Sequence, residues 1–382
     1  MKRHVVSMLG IAMSMLLSPG GAVPALAATF VYVSNAEDGD ISTFSLRPEG
    51  DLQTGPRVRA ASLVMPMTIS PDRRFLYAAS RSKPYLVHVY AIDRGTGGLT
   101  HLATSPLAES FPYISLDRTG RFLFGASYGA GLVTVNAVGA DGRVAVAPLQ
   151  VVPVGRNAHS IRVDATNSFV FVPTLGTDQI FQFGFDASSG HLTAKTPPVV
   201  QLKAGVGPRH FVLSRDNKFV YVLSELLATV TTLALDRNGA LSEISSASGL
   251  PADSRLGPGA PRGAVGAANA TPRNTDNDIW AADIHMTPDG KFLYISERTG
   301  SSLSGFSVDG ATGKLAYLGT TPTEKQPRGF AIDPSGKFLI ASGEKSTMIS
   351  VYAIDQGSGA LRMLQQYPVG KGANWVEIVG FD

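Results

Sequence analysis

The sequence predicts an all-β chain folded as a seven-bladed β-propeller of four-stranded antiparallel blades. Three observations predict it. An aromatic-rich strand recurs seven times, as Phe30-Val31-Tyr32, Phe75-Leu76-Tyr77, Phe122-Leu123-Phe124, Phe169-Val170-Phe171, Phe219-Val220-Tyr221, Phe292-Leu293-Tyr294 and Phe338-Leu339-Ile340. Successive copies lie 45, 47, 47, 50, 73 and 46 residues apart, the period of one blade. Finally, 41 glycines and 24 prolines with 16% charged residues suit many short strands joined by tight turns. A short strand cannot bury both its faces alone, so copies at this period stack around a ring and share a core.

The first 27 residues form a separate element. Lys2 and Arg3 precede the apolar stretch Val5 to Leu17, and Pro24-Ala25-Leu26-Ala27 ends in an Ala-x-Ala cleavage pattern. This is the layout of a secretory signal peptide cut after Ala27, with an apolar run too short to span a bilayer with ease. Residues 28–382 are then the propeller domain, exported to the periplasm or secreted, with no membrane insertion after cleavage. The chain has no cysteine, so its core and ring closure must hold it without disulfides. Net charge is +3, and the basic residues form no run, which excludes a nucleic-acid surface.

The last repeat shows how a blade is built. Pro327 to Asp333 reads as the inner strand, Lys337 to Ser342 as the second, Thr347 to Ile354 as the third and Leu361 to Tyr367 as the outer. The turn Asp355 to Gly359 repeats Asp93 to Gly97 and Asp309 to Gly313, and Asp/Gly clusters suit the positive-φ positions of hairpins. The domain begins directly with a second strand, Phe30 to Ser34. It ends with an orphan inner strand, Trp375 to Val379. The two should combine into one blade and close the ring. One connection is abnormal: about 25 extra residues separate the fifth and sixth copies, in the Gly/Pro/Ala/Asn-rich segment 246–277. That loop leads into the sixth inner strand and should lie over the same face as the site.

Aligning the repeats on their aromatic triplets exposes two columns. The starts of the inner strands carry Met65, Pro112, His159, Arg209, Ala282 and Arg328. Sixteen residues later, past the second strand, stand Arg81, Tyr128, Leu175, Glu225, Arg298 and Glu344. Antiparallel neighbours bring both columns to one mouth of the central channel. His159, Arg209, Glu225, Arg298, Arg328 and Glu344 come from blades four to seven, and His210 and Asp283 follow one position into their strands. Guanidinium groups bind carboxylates, phosphates and oxyanions, and a Glu or His beside them can move a proton. His285 could line the channel or be structural. Gly125-Ala126-Ser127-Tyr128-Gly129 matches a nucleophile-elbow pattern, but the elbow needs a helix after its strand and here another strand follows. No motif supports a metal site.

The sequence resembles the seven-bladed lactonase family of bacterial 6-phosphogluconolactonases, which is related to fungal carboxy-muconate lactonizing enzymes. The motifs that carry the resemblance are Gly207-Pro208-Arg209-His210 with Tyr221 to Glu225, Asp283 to Arg298, and Pro327-Arg328-Gly329-Phe330. It implies a cofactor-free site at the channel mouth formed by His159, Arg209, Glu225 and Arg298. Where the family has Ser-Asn-Arg, this chain has Ser296-Glu297-Arg298. The expectation is an exported hydrolase of a small-molecule lactone. Glu225 or His159 would serve as base, Arg209 and Arg298 as oxyanion donors, and Arg328, His210, Asp283, His285 and Glu344 as substrate contacts. Two alternatives stay open: a cycloisomerase using the same Glu/Arg pair, and a non-catalytic platform for a protein partner in the cell envelope.

Overall fold

The computed structural model describes Met1 and residues 28–263 and 274–381. The signal-peptide expectation and part of the long loop lie outside the described residues. The rest is a ring of seven antiparallel sheets. Blade two runs from Val64–Ile69 to Leu99–Pro106, blade three from Tyr113–Leu116 to Gln150–Pro153, and blade four from Arg162–Val163 to His191–Gln201. Blade five runs from Pro208–Leu213 to Leu241–Ser248, blade six from Ala281–Met286 to Leu315–Pro322, and blade seven from Phe330–Ile332 to Leu361–Pro368.

Blade one is completed from both ends of the domain. Its inner strand is Ala373–Phe381, paired antiparallel to Ala28–Asn35 with Phe30 opposite Val379 and Val33 opposite Val376. The expected seam is therefore present, and longer than the sequence alone suggested. The outer strand of this blade is split into Leu52–Thr54 and Val58–Arg59 around Gly55-Pro56. Proline offers no N–H to the ladder, so the pairing breaks there.

The recurring Phe and the recurring turn glycine prove to be two halves of one contact. Gly97 in the outer hairpin of blade two has φ +69, and a Cβ built on it would lie 2.3 Å from the Phe30 ring of blade one. The same seating joins Gly142 to Phe75, Gly190 to Phe122, Gly239 to Phe169, Gly313 to Phe219 and Gly359 to Phe292. Gly50 of blade one sits on Phe338 of blade seven and carries the pattern across the seam. Only glycine combines a left-handed backbone with no side chain against the ring. Tyr32 and Tyr294 reinforce it by donating their hydroxyls to the carbonyls of Gly97 and Gly359 at 2.9 and 2.8 Å. The apolar core is correspondingly divided into clusters between neighbouring blades, such as Val31, Phe44, Phe338 and Val351 at the seam.

The inner strands are not regular. Their pairing slips between Val64 and Met67, between Pro208 and Phe211, and between Ala281 and Ile284. Each slip is a bulge of two residues, and bulges re-aim side chains. In blade four the inner strand shrinks to Arg162–Val163, preceded by an isolated bridge between Ala158 and Thr174. The expected inner strand Pro327 to Asp333 likewise shortens to Phe330–Ile332.

Two outcomes follow for stability. Removing residues 373–381 should abolish the cooperative thermal transition, because it exposes both the Ala28–Asn35 edge and the seam cluster. Gly359→Ala should cost ~1–3 kcal/mol in urea unfolding, from its strained φ and the ring beneath it.

Candidate active site

The bulges place the site. At the end of five second strands a backbone N–H reaches back across the inner strand's start: Arg81 to Leu63, Leu175 to Asn157, Glu225 to Gly207, Arg298 to Trp280 and Glu344 to Gln326. The two sequence columns therefore face each other around one mouth. Four of their side chains, His159, Arg209, Glu225 and Arg298, are 1–4% exposed and form a single cluster.

Glu225 is its centre. Its Oε2 accepts from Arg209 Nε at 2.7 Å, and Arg298 Nη2 stands 3.2 Å from the same oxygen. His159 Nε2 lies 4.0 Å from it. Arg298 is further fixed by donating Nε to the Trp280 carbonyl at 3.0 Å and Nη2 to the Ala281 carbonyl at 3.2 Å. Its guanidinium lies 3.6 Å from the Trp280 ring centre, and Arg262 covers the same ring at 3.7 Å. Glu297, the departure from the family pattern, is structural. It accepts from the backbone N–H groups of Trp280 and Gly300 and so braces the turn that carries Arg298. Arg209 also donates Nη1 to the Ala282 carbonyl and to His210 Nε2.

That last bond fixes a tautomer. A guanidinium can only donate, so His210 Nε2 accepts and its Nδ1 carries the proton. Nδ1 meets Asp283 Oδ1 at 2.8 Å, and Asp283 Oδ2 meets His285 Nε2 at 3.1 Å. Burial works to raise the Asp283 carboxyl, but His285 and His210 outweigh it and hold it well below the usual range. Burial and the neighbouring Arg209 push His210 down to about 3, so it is neutral. His210, Asp283 and His285 therefore form one chain running inward from Arg209, and are not a second ring of mouth residues. Arg328 and Glu344 are at the mouth, paired at 3.4 Å.

The sequence reading passed over Arg81 as a site residue, although it stands in the second column. It is buried, donates Nε to Ser110 at 3.2 Å, and is lowered to about 9 by burial and by the Arg328 and Arg209 charges. Burial likewise lowers Arg209 to about 10, against the pull of Glu225. His159 is driven well below 6.5, first by burial and then by Arg209, His210, Arg328 and Arg81. Its Nδ1 is buried without a hydrogen-bond partner. Ser127 ends a strand that turns into another strand, and its Oγ accepts from the Ala130 N–H at 3.2 Å, so no nucleophile elbow exists. As expected, the described part of the long loop lies over this mouth: Gly259 N–H bonds to Leu226 O, and Tyr128 hydroxyl to Arg262 O. Among the described residues no group of three or more His, Cys, Asp or Glu side chains is placed to hold a metal ion.

The seven-bladed ring thus carries a buried Arg/Glu/His cluster at one mouth, whose guanidiniums have the chemistry to bind an anionic oxygen. The chain matches the family described as "Lactonase, 7-bladed beta-propeller" over residues 29–378, and it belongs to that family. It is 40% identical over 351 residues to the 6-phosphogluconolactonase of Serratia proteamaculans, covering 91% of this chain and 98% of that one. The 6-phosphogluconolactonase of Pectobacterium carotovorum is 37% identical, covering 92% and 99%. Among solved structures, the periplasmic gluconolactonase of Pseudomonas aeruginosa superposes with a TM-score of 0.80 at 26% identity, covering 92% and 99%. The chain is a lactonase, which sets aside the non-catalytic platform among the alternatives the sequence left open.

Glu225→Gln should destabilise the protein by ~3–5 kcal/mol at neutral pH, because it leaves two buried guanidiniums without their counter-charge. Denaturant unfolding at constant slope measures it.

Proposed function

We propose that this lactonase is exported and opens a sugar lactone there, with His159 as general base and Arg209 and Arg298 as oxyanion donors. The observation that carries the reading is the state of His159: neutral, buried, with Nδ1 unpartnered and Nε2 facing Glu225 Oε2 at 4.0 Å. Glu225 is a weaker candidate for the base because Oε2 is engaged by both guanidiniums.

Water attacks the ring carbonyl while His159 Nδ1 takes its proton. The imidazolium that forms faces Glu225 through Nε2, which compensates the new charge. The tetrahedral oxyanion rests on Arg209 and Arg298, whose charges act at full strength in a site closed to bulk water. Collapse breaks the ring C–O bond, and the leaving alkoxide recovers the proton from His159. The product is a hydroxy acid, which ionises. Arg328 and Arg81 provide the positive charge for an anionic group at the far end of the substrate.

Export is supported by the Lys2-Arg3 start, the apolar run and the Ala-x-Ala pattern, and by similarity to a periplasmic gluconolactonase. Phosphorylated and plain substrates are separated by assay. A pH-indicator assay on γ- and δ-lactones of both kinds should show acid release above the spontaneous rate; no release on any of them overturns the reading. Arg298→Ala should lower the rate ~10²–10³-fold if it contacts the oxyanion.

The pH profile tests the base. A base acts in its neutral form, and the His159 acid limb is displaced to lower pH. kcat/KM should therefore stay flat as pH falls through 6.5 and decline only well below it. His159→Gln should abolish that limb along with most of the activity. A limb centred near 6.5 would remove His159 as the buried neutral base.

A further inference from the structure

The central channel opens a second time, on the face opposite the lactonase site. There it widens into a chamber of about 660 Å³. Its floor is made by Tyr113, His210, Asp283 and Trp375, which separate it from the sealed cluster. Its walls carry Arg162 and Glu377, and its rim carries Arg118 and Arg215 on the exposed hairpin tips of blades three and five. None of these four wall and rim residues belongs to the two columns that build the lactonase site.

The chamber has the make-up of a small-molecule site. Trp375 and Tyr113 meet edge-on at 5.5 Å, and Tyr113 meets His210 at 4.9 Å, giving an aromatic floor. Polar groups converge above it. Trp375 Nε1 donates to Glu377 Oε1 at 2.8 Å, His285 is held by Asp283, and Arg162 donates Nη1 to the Phe211 carbonyl at 3.2 Å. Three guanidiniums, Arg118, Arg162 and Arg215, stand against the carboxylates Asp117, Asp283 and Glu377, and protonation of Glu377 leaves one positive charge in excess. In that state the excess charge is matched by a monoanion, whereas a phosphate dianion would leave one negative charge uncompensated. Carboxylates and a phenol beside aromatic edges suit the hydroxyls and C–H faces of a polyhydroxylated chain.

We propose that this far chamber is a second binding site, for the carboxylate form of a polyhydroxylated acid. Arg162 and Arg118 take the carboxylate, and Glu377, Asp283 and Tyr113 take hydroxyls. The site is independent of the lactonase reading, since no residue of the reacting cluster contributes to its walls.

Glu377 makes the site pH-sensitive. Burial raises its carboxyl to about 7; the Trp375 bond, His285 and Arg162 oppose the rise, and Asp283 adds to it. Below that pH the group is neutral, and the chamber favours an anion. As pH rises through about 7 a negative charge appears in the wall and binding weakens. The charged and titratable groups facing it are Arg162 from blade four, Asp283 and His285 from blade six, and Tyr113 from blade three.

The test is calorimetric titration of the purified protein with gluconate, with inorganic phosphate as control, at about pH 6 and about pH 8. Lactone kinetics are measured alongside. Gluconate should bind more weakly at the higher pH. Arg162→Gln should weaken binding at least ~10-fold while kcat and KM for the lactone are unchanged. Glu377→Gln should keep the tight binding and lose its pH dependence. Should Arg162→Gln fail to fold, Arg118→Gln at the exposed rim must also weaken binding. The proposal is overturned by any of four results: no gluconate binding to wild type, phosphate bound as tightly as gluconate, binding unmoved by Arg162→Gln and Arg118→Gln, or gluconate competing with the lactone and lost in Arg298→Ala.

Discussion

The contact between one blade's turn glycine and the next blade's aromatic ring governs this molecule. It occurs at all seven blade junctions, including Gly50 on Phe338 at the seam. A propeller has no central core, so each blade must bury its faces against its two neighbours. The apolar clusters lie accordingly between blades, and the seam cluster joins Val31 and Val376 from opposite ends of the domain. The inner strands add Val64, Met67, Phe211, Ile284 and Phe330 to these clusters, and their channel-facing positions are released from packing. They can hold arginine, histidine and carboxylate side chains that no ordinary core would accept.

Those buried charges are partly balanced, with an excess of positive charge. Arg209 and Arg298 share one carboxylate, and Arg328 pairs with Glu344. Arg298 completes its bonding on the Trp280 and Ala281 carbonyls and against the Trp280 ring. Burial of a guanidinium is tolerable only with its donors satisfied and a counter-charge in place. The balance leaves His159 as the one member that burial and surrounding positive charge drive neutral. In the proposed mechanism this difference divides the labour, with fixed cations for developing negative charge and a neutral imidazole for the proton.

The blade count, the seam and the mouth residues were legible in the sequence because each rests on a repeated signal. The Phe triplets report the period, and columns sixteen residues apart report which side chains meet. The inner-strand bulges were not legible. The bulge that sets Arg209 and His210 opposite the single residue Leu223 leaves no mark in composition or periodicity, yet it sends His210 to the channel floor. His210, Asp283 and His285 were read as substrate contacts for that reason. Arg81 was visible in its column but undervalued, because its blade lacks a charged partner at the inner-strand start. Glu377 belongs to the closing strand, outside the repeat, so no column could expose it. The identity of the signal segment rests on pattern alone, since residues 2–27 lie outside those described.

The bulges also explain how one set of strands serves two chambers. Arg209 and His210 are consecutive, yet the first holds Glu225 at the mouth and the second floors the opposite chamber. Ala282 and Asp283 divide in the same way: the Ala282 carbonyl accepts from Arg209, while the Asp283 carboxylate faces inward. Regular alternation would point such neighbours to opposite faces of the blade, into the cores on either side. The slip instead keeps both on the channel. The mouth cluster meets the far chamber through the chain from Arg209 to His210 to Asp283 and through the edge-on contact of His159 with His210 at 5.1 Å. His210 is neutral and its tautomer is set from both sides, so this link orients Arg209 without carrying charge between the chambers.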